Sequence, residues 1–578
     1  MDLVVIWTCL VLFPVLRCAL PPPCDSEVYC QGELLRQVQE AKLFADDKHF
    51  VDMKLKEPPG KVLEAFRNLT STVPGGILSA QQIQKFLTDF FEEPGKEFES
   101  WTPSDWHENP EFLSNITDPD LRSWARDLHT LWKSLGRKVR AEVQDRPELY
   151  SLIYTPHPLI VPGGRFRELY YWDSYWVING LLLSEMKDTA RGMISNFLYL
   201  VERYGFVPNG ARVYYERRSQ PPFLTLMVES YYQATQDKSF LSFALPLLEK
   251  EYQFWMENRS VVVQSAGISH TLNRYRVEAG QPRPESYTDD LELAQGLSKD
   301  AQERLWAELK AGAESGWDFT SRWYMAEGGR GSGGALSDTR TSHILPVDLN
   351  ALLCRNERTL AFFYKELGNT SAAQYWEDAL QQRMAAVQAV LWDEETGVWR
   401  DYSLLSNTSR PGFYPSNLAP LWAQCYAEPG AGERALEYLQ ASGALKYPNG
   451  VPTSLSDSGQ QWDYPNAWPP LQHMIIEGLS KLSSESAQQI ALDLSQKWIQ
   501  TNRKAYKTYQ AMFEKYDVNG DGKPGGGGEY EVQLGFGWTN GVALQLLDRF
   551  GDRLSSGATA VLGSGLGVWL LSTLLVML

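Results

Sequence analysis

LRSWARDLHTLWKSLGRKV, residues 121–139, places Leu121, Trp124, Leu128, Leu131, Leu135 and Val139 at intervals of three or four. That spacing lines up all six on one face of an α-helix. Trp376, Leu380, Met384, Val387 and Leu391 repeat it, and further amphipathic runs lie near residues 79–91, 188–203, 238–256, 431–441 and 487–501. Long alternating strand patterns are scarce. Helices joined by Gly, Pro and Asn loops imply an all-α architecture, either a stacked helical array or helices closed into a toroid. No repeat of fixed period is visible, which argues against a regular solenoid.

With 578 residues, 43% of them hydrophobic and 22% charged, the chain can bury a full core as one large domain or two. The formal charge of −17 repels phosphate backbones and so argues against nucleic acid as a partner. Aromatic residues reach 12%, with 20 tryptophans. Large flat rings fill cores, and they also stack on the C–H faces of sugars.

Both ends read as targeting segments. Residues 3–16, LVVIWTCLVLFPVL, form a short apolar run followed by PPPC, the pattern of a signal peptide spanning about residues 1–22. The chain from Ala560 to Leu578 is apolar with no basic segment after it, and Ser555, Ser556, Gly557 and Ala558 precede it. Small residues before a spacer and an apolar tail are the signature of a glycosylphosphatidylinositol (GPI) anchor, here expected at Ser556 or Ser555 with 557–578 removed. That puts residues 23–556 at the cell surface, on the outer leaflet. N-x-S/T sequons at Asn68, Asn115, Asn258, Asn369 and Asn407 agree with a luminal route. Cys24 and Cys30 are close enough to close a small disulfide loop, whereas Cys354 and Cys425 are equally compatible with a bridge or with burial as free thiols.

Between the amphipathic runs lie loops rich in Arg, Trp, Tyr and Gly: PGGRFRELYYWDSYW at 162–176, NGARVYYERRSQPP at 209–222, PRPESY at 282–287, ESGWDFTSRW at 314–323, QWDYPNAWPP at 461–470, and EKYD with GGGGEY between 514 and 530. A neutral sugar needs donors, acceptors and flat aromatic walls. Arg165, Arg167, Arg217, Arg218, Arg283 and Arg322 are forked donors; Asp173, Glu285, Asp318, Glu514 and Glu529 are acceptors. Cleavage of a glycosidic bond with inversion requires one protonated carboxylic acid and one ionised carboxylate. Asp318, between Trp317 and Phe319, has the apolar setting that raises a carboxyl pKa and suits the acid. Glu514 and Glu529 remain alternatives for the base or for substrate binding. DVNGDG at 517–522 opens like a calcium loop but has Gly528 at its twelfth position, and the seven histidines show no HExxH spacing, so no metal is indicated. GGRGSGG at 328–334 lacks the Lys of a phosphate loop and reads as a flap beside Asp318, and His473 reads as a core histidine.

PGGRFRELYYWDSYW and QWDYPNAWPP resemble the two signature segments of the trehalases, and GGGGEY is similar to that family's glycine-rich segment, over roughly residues 40–550. The resemblance implies an (α/α)6 toroid that hydrolyses α,α-trehalose to two glucose molecules with inversion and without a cofactor or metal. It places the acid at Asp318 and the base at Glu514. It further implies sugar contacts from Arg165, Trp172, Asp173, Asn209, Arg218, Ser219, Gln220, Arg283, Pro284, Glu285, Gly316 and Glu529. The signal and anchor segments resemble the brush-border, membrane-bound branch of the family. Two other readings compete: an α-glucosidase of different specificity on the same toroid, and a non-catalytic carbohydrate receptor.

Overall fold

The computed structural model describes residues 19–326, 333–533 and 535–557. Residues 1–18 of the expected signal segment, 558–578 of the expected anchor segment, and most of the GGRGSGG stretch lie outside the described residues. Twelve helices form the body: α1 (Pro119–Leu135), α2 (Asp173–Leu183), α3 (Lys187–Tyr204), α4 (Leu224–Thr235), α5 (Lys238–Asn258), α6 (Val347–Glu366), α7 (Thr370–Leu391), α8 (Ala419–Ala423), α9 (Ala431–Ala441), α10 (Pro469–Ser480), α11 (Glu485–Tyr509) and α12 (Gly537–Phe550). The even-numbered helices form an inner ring, each packed on the next, and α12 closes the ring against α2. Odd-numbered helices lie outside. This is an (α/α)6 toroid.

Local chemistry explains several helix starts. Asp118 caps α1 by accepting from the backbone N–H groups of Asp120 and Leu121, with Pro119 in the first turn. Asp237, Asn369 and Ser484 cap α5, α7 and α11 in the same way. The apolar periodicity of residues 121–139 overruns α1, because Gly136 ends the helix and starts a short strand through Val139. A Cβ at Gly136 would come within 2.0 Å of the Trp101 carbonyl oxygen, so the close strand contact there requires glycine. Trp132, rather than Leu131, is the fully buried residue of the last turn.

Connections alternate in length. Inner-to-outer links are short, at residues 184–186, 236–237, 367–369, 424–430 and 481–484, while outer-to-inner links are long, at 136–172, 205–223, 259–346, 392–418, 442–468 and 510–536. Successive helices run antiparallel, so every long link emerges at the same mouth, beside the N-termini of the inner helices. Residues 19–117 pack as an N-terminal layer against this body, with a Cys24–Cys30 bridge near their start. Cys354 on α6 and Cys425 after α8 also form a disulfide, which settles the alternative their sequence left open.

Candidate active site

Five of the six long connections converge on one cavity. Arg165, Phe166, Tyr170 and Trp172 come from 136–172, with Asp173 opening α2; Asn209, Tyr215, Arg218 and Gln220 come from 205–223. The 259–346 connection supplies Arg283, Glu285, Ser286, Ala313, Gly316 and Asp318. Trp462 and Trp468 come from 442–468; Glu514, Glu529, Tyr530 and Phe536 come from 510–536, and Trp538 stands on α12.

Aromatic rings make one wall. Trp462 and Trp468 stack with centroids 3.8 Å apart and planes 3° from parallel, and Trp538 meets the Trp468 and Trp172 rings edge-on at 5.8 Å. Gly316 has φ 76° and lies against Trp172, where a Cβ would come within 2.7 Å of the ring. Glycine is needed there both for the left-handed backbone and for the approach.

Each cavity arginine is held by a carboxylate. Arg165 donates from Nε and Nη2 to Asp46 of the N-terminal layer at 2.7 and 2.6 Å and stacks over Tyr530 at 4.6 Å. Arg218 donates to Asn209 Oδ1 at 3.0 Å and to Glu285 Oε1 at 2.5 Å. Arg283 bridges Asp290 and Glu529 at 2.6 and 2.7 Å, and Ser286 Oγ donates to the other Glu529 oxygen at 3.0 Å. Burial by itself would push the Glu285 carboxyl up, but Arg218 and Arg283 outweigh it and hold Glu285 below the usual range.

The remaining carboxyls behave differently. Asp318 opens onto the cavity between the buried rings of Trp317 and Phe319. Burial, reinforced by the Glu529 charge, raises its pKa to about 7 against the opposing pull of Arg283 and Arg218. Its backbone is fixed: Gln461 Nε2 donates to the Asp318 carbonyl at 2.5 Å, and Asp463 anchors the following Thr320 and Ser321. Burial, with smaller contributions from Glu514 and Asp318, pushes Asp173 to about 8, so it is a neutral donor at pH 7. Glu514 is also pushed up by burial, opposed first by Lys515 and then by a hydrogen bond from Tyr530. The Tyr530 hydroxyl donates to Glu514 Oε1 at 3.0 Å, whereas the buried Oε2 accepts no hydrogen bond from the protein.

Twelve of the fourteen residues expected to catalyse or to touch sugar line this cavity; Ser219 and Pro284 do not. Ser219 Oγ donates to the Val207 carbonyl and its N–H to Glu314, while the Pro284 carbonyl accepts from Gln39. Three of the six forked donors also lie elsewhere. Arg322 is fully buried between Asp348 and Asp401, Arg217 pairs with the exposed Asp25, and Arg167 does not reach the cavity. His473 is buried on α10, with Nδ1 3.2 Å from the Trp176 indole nitrogen; burial lowers its pKa to about 4. Asp517 and Asp521 of the DVNGDG stretch make a turn contact with Asn519 and an ion pair with Lys504. The glycine run 525–528 packs against neighbouring protein: Cβ atoms at Gly525, Gly527 and Gly528 would strike Asn466, Gly459 and Gln461. Glycine at these positions therefore seats the loop against its neighbours. Asp46, Asp290 and Tyr530 were not singled out from sequence. Tyr530 sits in GGGGEY and carried a readable signal, but the two aspartates are distant in sequence from the arginines they hold.

The trehalase family model matches residues 42–551. Trehalases from Oryctolagus cuniculus and Homo sapiens are each 55% identical, over 94% and 93% of this chain and 93% and 92% of their own. Trehalase from Apis mellifera is 47% identical over 95% of this chain and 88% of its own. Among solved structures, neutral trehalase Nth1 from Saccharomyces cerevisiae superposes with a TM-score of 0.59 at 22% identity, covering 75% of this chain and 96% of that one, which matches the toroid. With matched sequence running through all the connections that build the cavity, the chain belongs to the trehalase family of glycoside hydrolases.

Proposed function

We propose that this cavity hydrolyses α,α-trehalose with inversion, Asp318 donating a proton to the glycosidic oxygen while Glu514 takes one from the attacking water. The observation that carries the reading is the state of Glu514: Oε1 is clamped by Tyr530, and Oε2 is buried with no protein donor, as a base awaiting water would be. Asp318, with its pKa raised to about 7, retains the proton an acid needs. Glu529, bound by Arg283 and Ser286, is committed to orienting the sugar, as are Arg218, Glu285, Asn209 and Gln220 around the cavity. Proton NMR during turnover should show one α- and one β-glucose released per trehalose. Two α-glucose molecules would overturn inversion, and near-normal turnover by Asp318→Asn or Glu514→Gln would overturn the assigned roles.

The same reading places the enzyme at the outer membrane face, delivered by a signal segment and held by a GPI lipid at Ser556 or Ser555. All five sequon asparagines are exposed, which is compatible with glycosylation. Release from cells by a phosphatidylinositol-specific phospholipase checks the anchor, and retention by a cleavable membrane preparation would overturn it.

A further inference from the structure

Lys515 follows the proposed base in sequence, and its side chain is fully buried. Nζ donates to Gln461 Oε1 at 2.6 Å and stands 3.7 Å from Glu514 Oε2, the oxygen left without a hydrogen bond. Its ammonium also lies 5.0 Å from the Trp468 ring and 5.4 Å from the Tyr530 ring, both walls of the cavity. On its other side the Gln461 amide turns to the acid, with Nε2 donating to the Asp318 carbonyl at 2.5 Å. The amide has one possible orientation, because an ammonium can only donate and a carbonyl can only accept. One buried cation thus stands within ion-pair distance of the base and reaches the backbone of the acid through a single side chain.

A buried ammonium is costly unless a charge compensates it, and Glu514 is the carboxylate within ion-pair distance. The compensation operates only while Glu514 is ionised. The groups facing this pair come from four elements: Tyr530 and Glu531 from its own connection, Arg165 from 136–172, Asp173 from α2, and Asp318 from 259–346. Of these, Arg165 is the other cation, and it is already paired with Asp46.

We propose that Lys515 is a positioning residue for the hydrolysis: it holds Glu514 in the ionised form and, through Gln461, fixes the base loop to the acid loop. This rests on the assignment of Glu514 as base and Asp318 as acid. Among the influences that lower the Glu514 pKa against burial, Lys515 is the largest, which agrees with the geometry.

The test is the pH profile of kcat/KM on trehalose for Lys515→Met, Lys515→Arg and Gln461→Met in the full chain. Removing a positive charge at this distance should move the acidic limb up by about one pH unit or more. Lys515→Met should therefore lose at least tenfold in kcat/KM below the limb and recover part of the loss above it, with KM nearly unchanged. Lys515→Arg should keep the limb near its parental position. Gln461→Met should lower kcat with the acidic limb unmoved, since the charge remains. If Lys515→Met does not fold, Lys515→Gln is read the same way. An acidic limb unmoved in the uncharged variant, with melting within a few degrees of the parent, would overturn the proposal, as would a loss confined to KM. A Glu514→Gln enzyme with near-normal kcat would instead overturn the assignment beneath it, so the two failures are distinguishable.

Discussion

Asp46 lies about 120 residues before the cavity arginine it holds, and replacing it tests whether the N-terminal layer belongs to the catalytic unit. Arg165 is engaged by both oxygens of this carboxylate, and its plane then supports Tyr530, whose hydroxyl holds Glu514. Hydrogen bonds to charged groups contribute about 1.5–3 kcal/mol where they are buried. The Asp46 side chain is 37% exposed, which brings the value toward the lower end. If about 1.4–2 kcal/mol of the arginine's orientation is lost in Asp46→Ala, kcat/KM on trehalose should fall roughly ten- to thirtyfold. Asp46→Asn keeps one acceptor oxygen and loses the charge, so it should fall about three- to tenfold. The assay is steady-state glucose release, with melting measured in parallel. A kcat/KM within twofold of the parent for Asp46→Ala in a normally melting protein would refute the reasoning, because Arg165 would then be oriented without its partner.

The pH profile should be bell-shaped. With Asp318 as the proposed acid, it must carry its proton, so kcat/KM should decline as pH rises through about 7, and Glu529→Gln, which removes a charge that raises Asp318, should shift that alkaline limb to lower pH. With Glu514 as the proposed base, the acidic limb reports that group and should lie above the range of an ordinary glutamate, because burial raises it. Gly316→Ala should lower both Tm and kcat, by about 1–3 kcal/mol in stability, since the backbone has φ 76° and the methyl group would strike the Trp172 ring; an unchanged Tm would show that the loop can move away.

The outer helices were legible because each buries one face: α5, α7, α9 and α11 fall on the apolar runs that their sequences display. Inner helices carry no such signal. In α2 the run Ser174 to Ile178 is buried at every position, so nothing alternates along it, and α8 is five residues long. Closure of the ring is a matter of which helix packs on which, and periodicity contains no such information. Within the site, Asp318 was readable from its two aromatic neighbours, and the motif loops located most of the cavity. The mixture of Arg and carboxylate in those loops did not distinguish Arg218 from Arg322. Both are forked donors with acidic partners, but Arg218 pairs with Glu285 on the cavity wall and Arg322 with Asp348 and Asp401 behind it. That difference is created by the 259–346 connection, which supplies Glu285 to Arg218 at the cavity and carries Arg322 to Asp348 and Asp401.

The pairing of the arginines also bears on why such a site would take a neutral sugar. Arg165, Arg218 and Arg283 could attract a phosphorylated or acidic ligand were they free, but Asp46, Glu285, and Asp290 with Glu529 already neutralise them. Asp173 and Asp318, raised to about 8 and about 7, add little negative charge near pH 7. Lys515 in turn compensates Glu514. The cavity thus presents oriented donors and acceptors with little net charge, and an anionic disaccharide would have to displace a paired carboxylate to gain an arginine. Charge compensation selects against charged analogues, while the fixed directions of the N–H groups leave hydroxyls as the fitting partners.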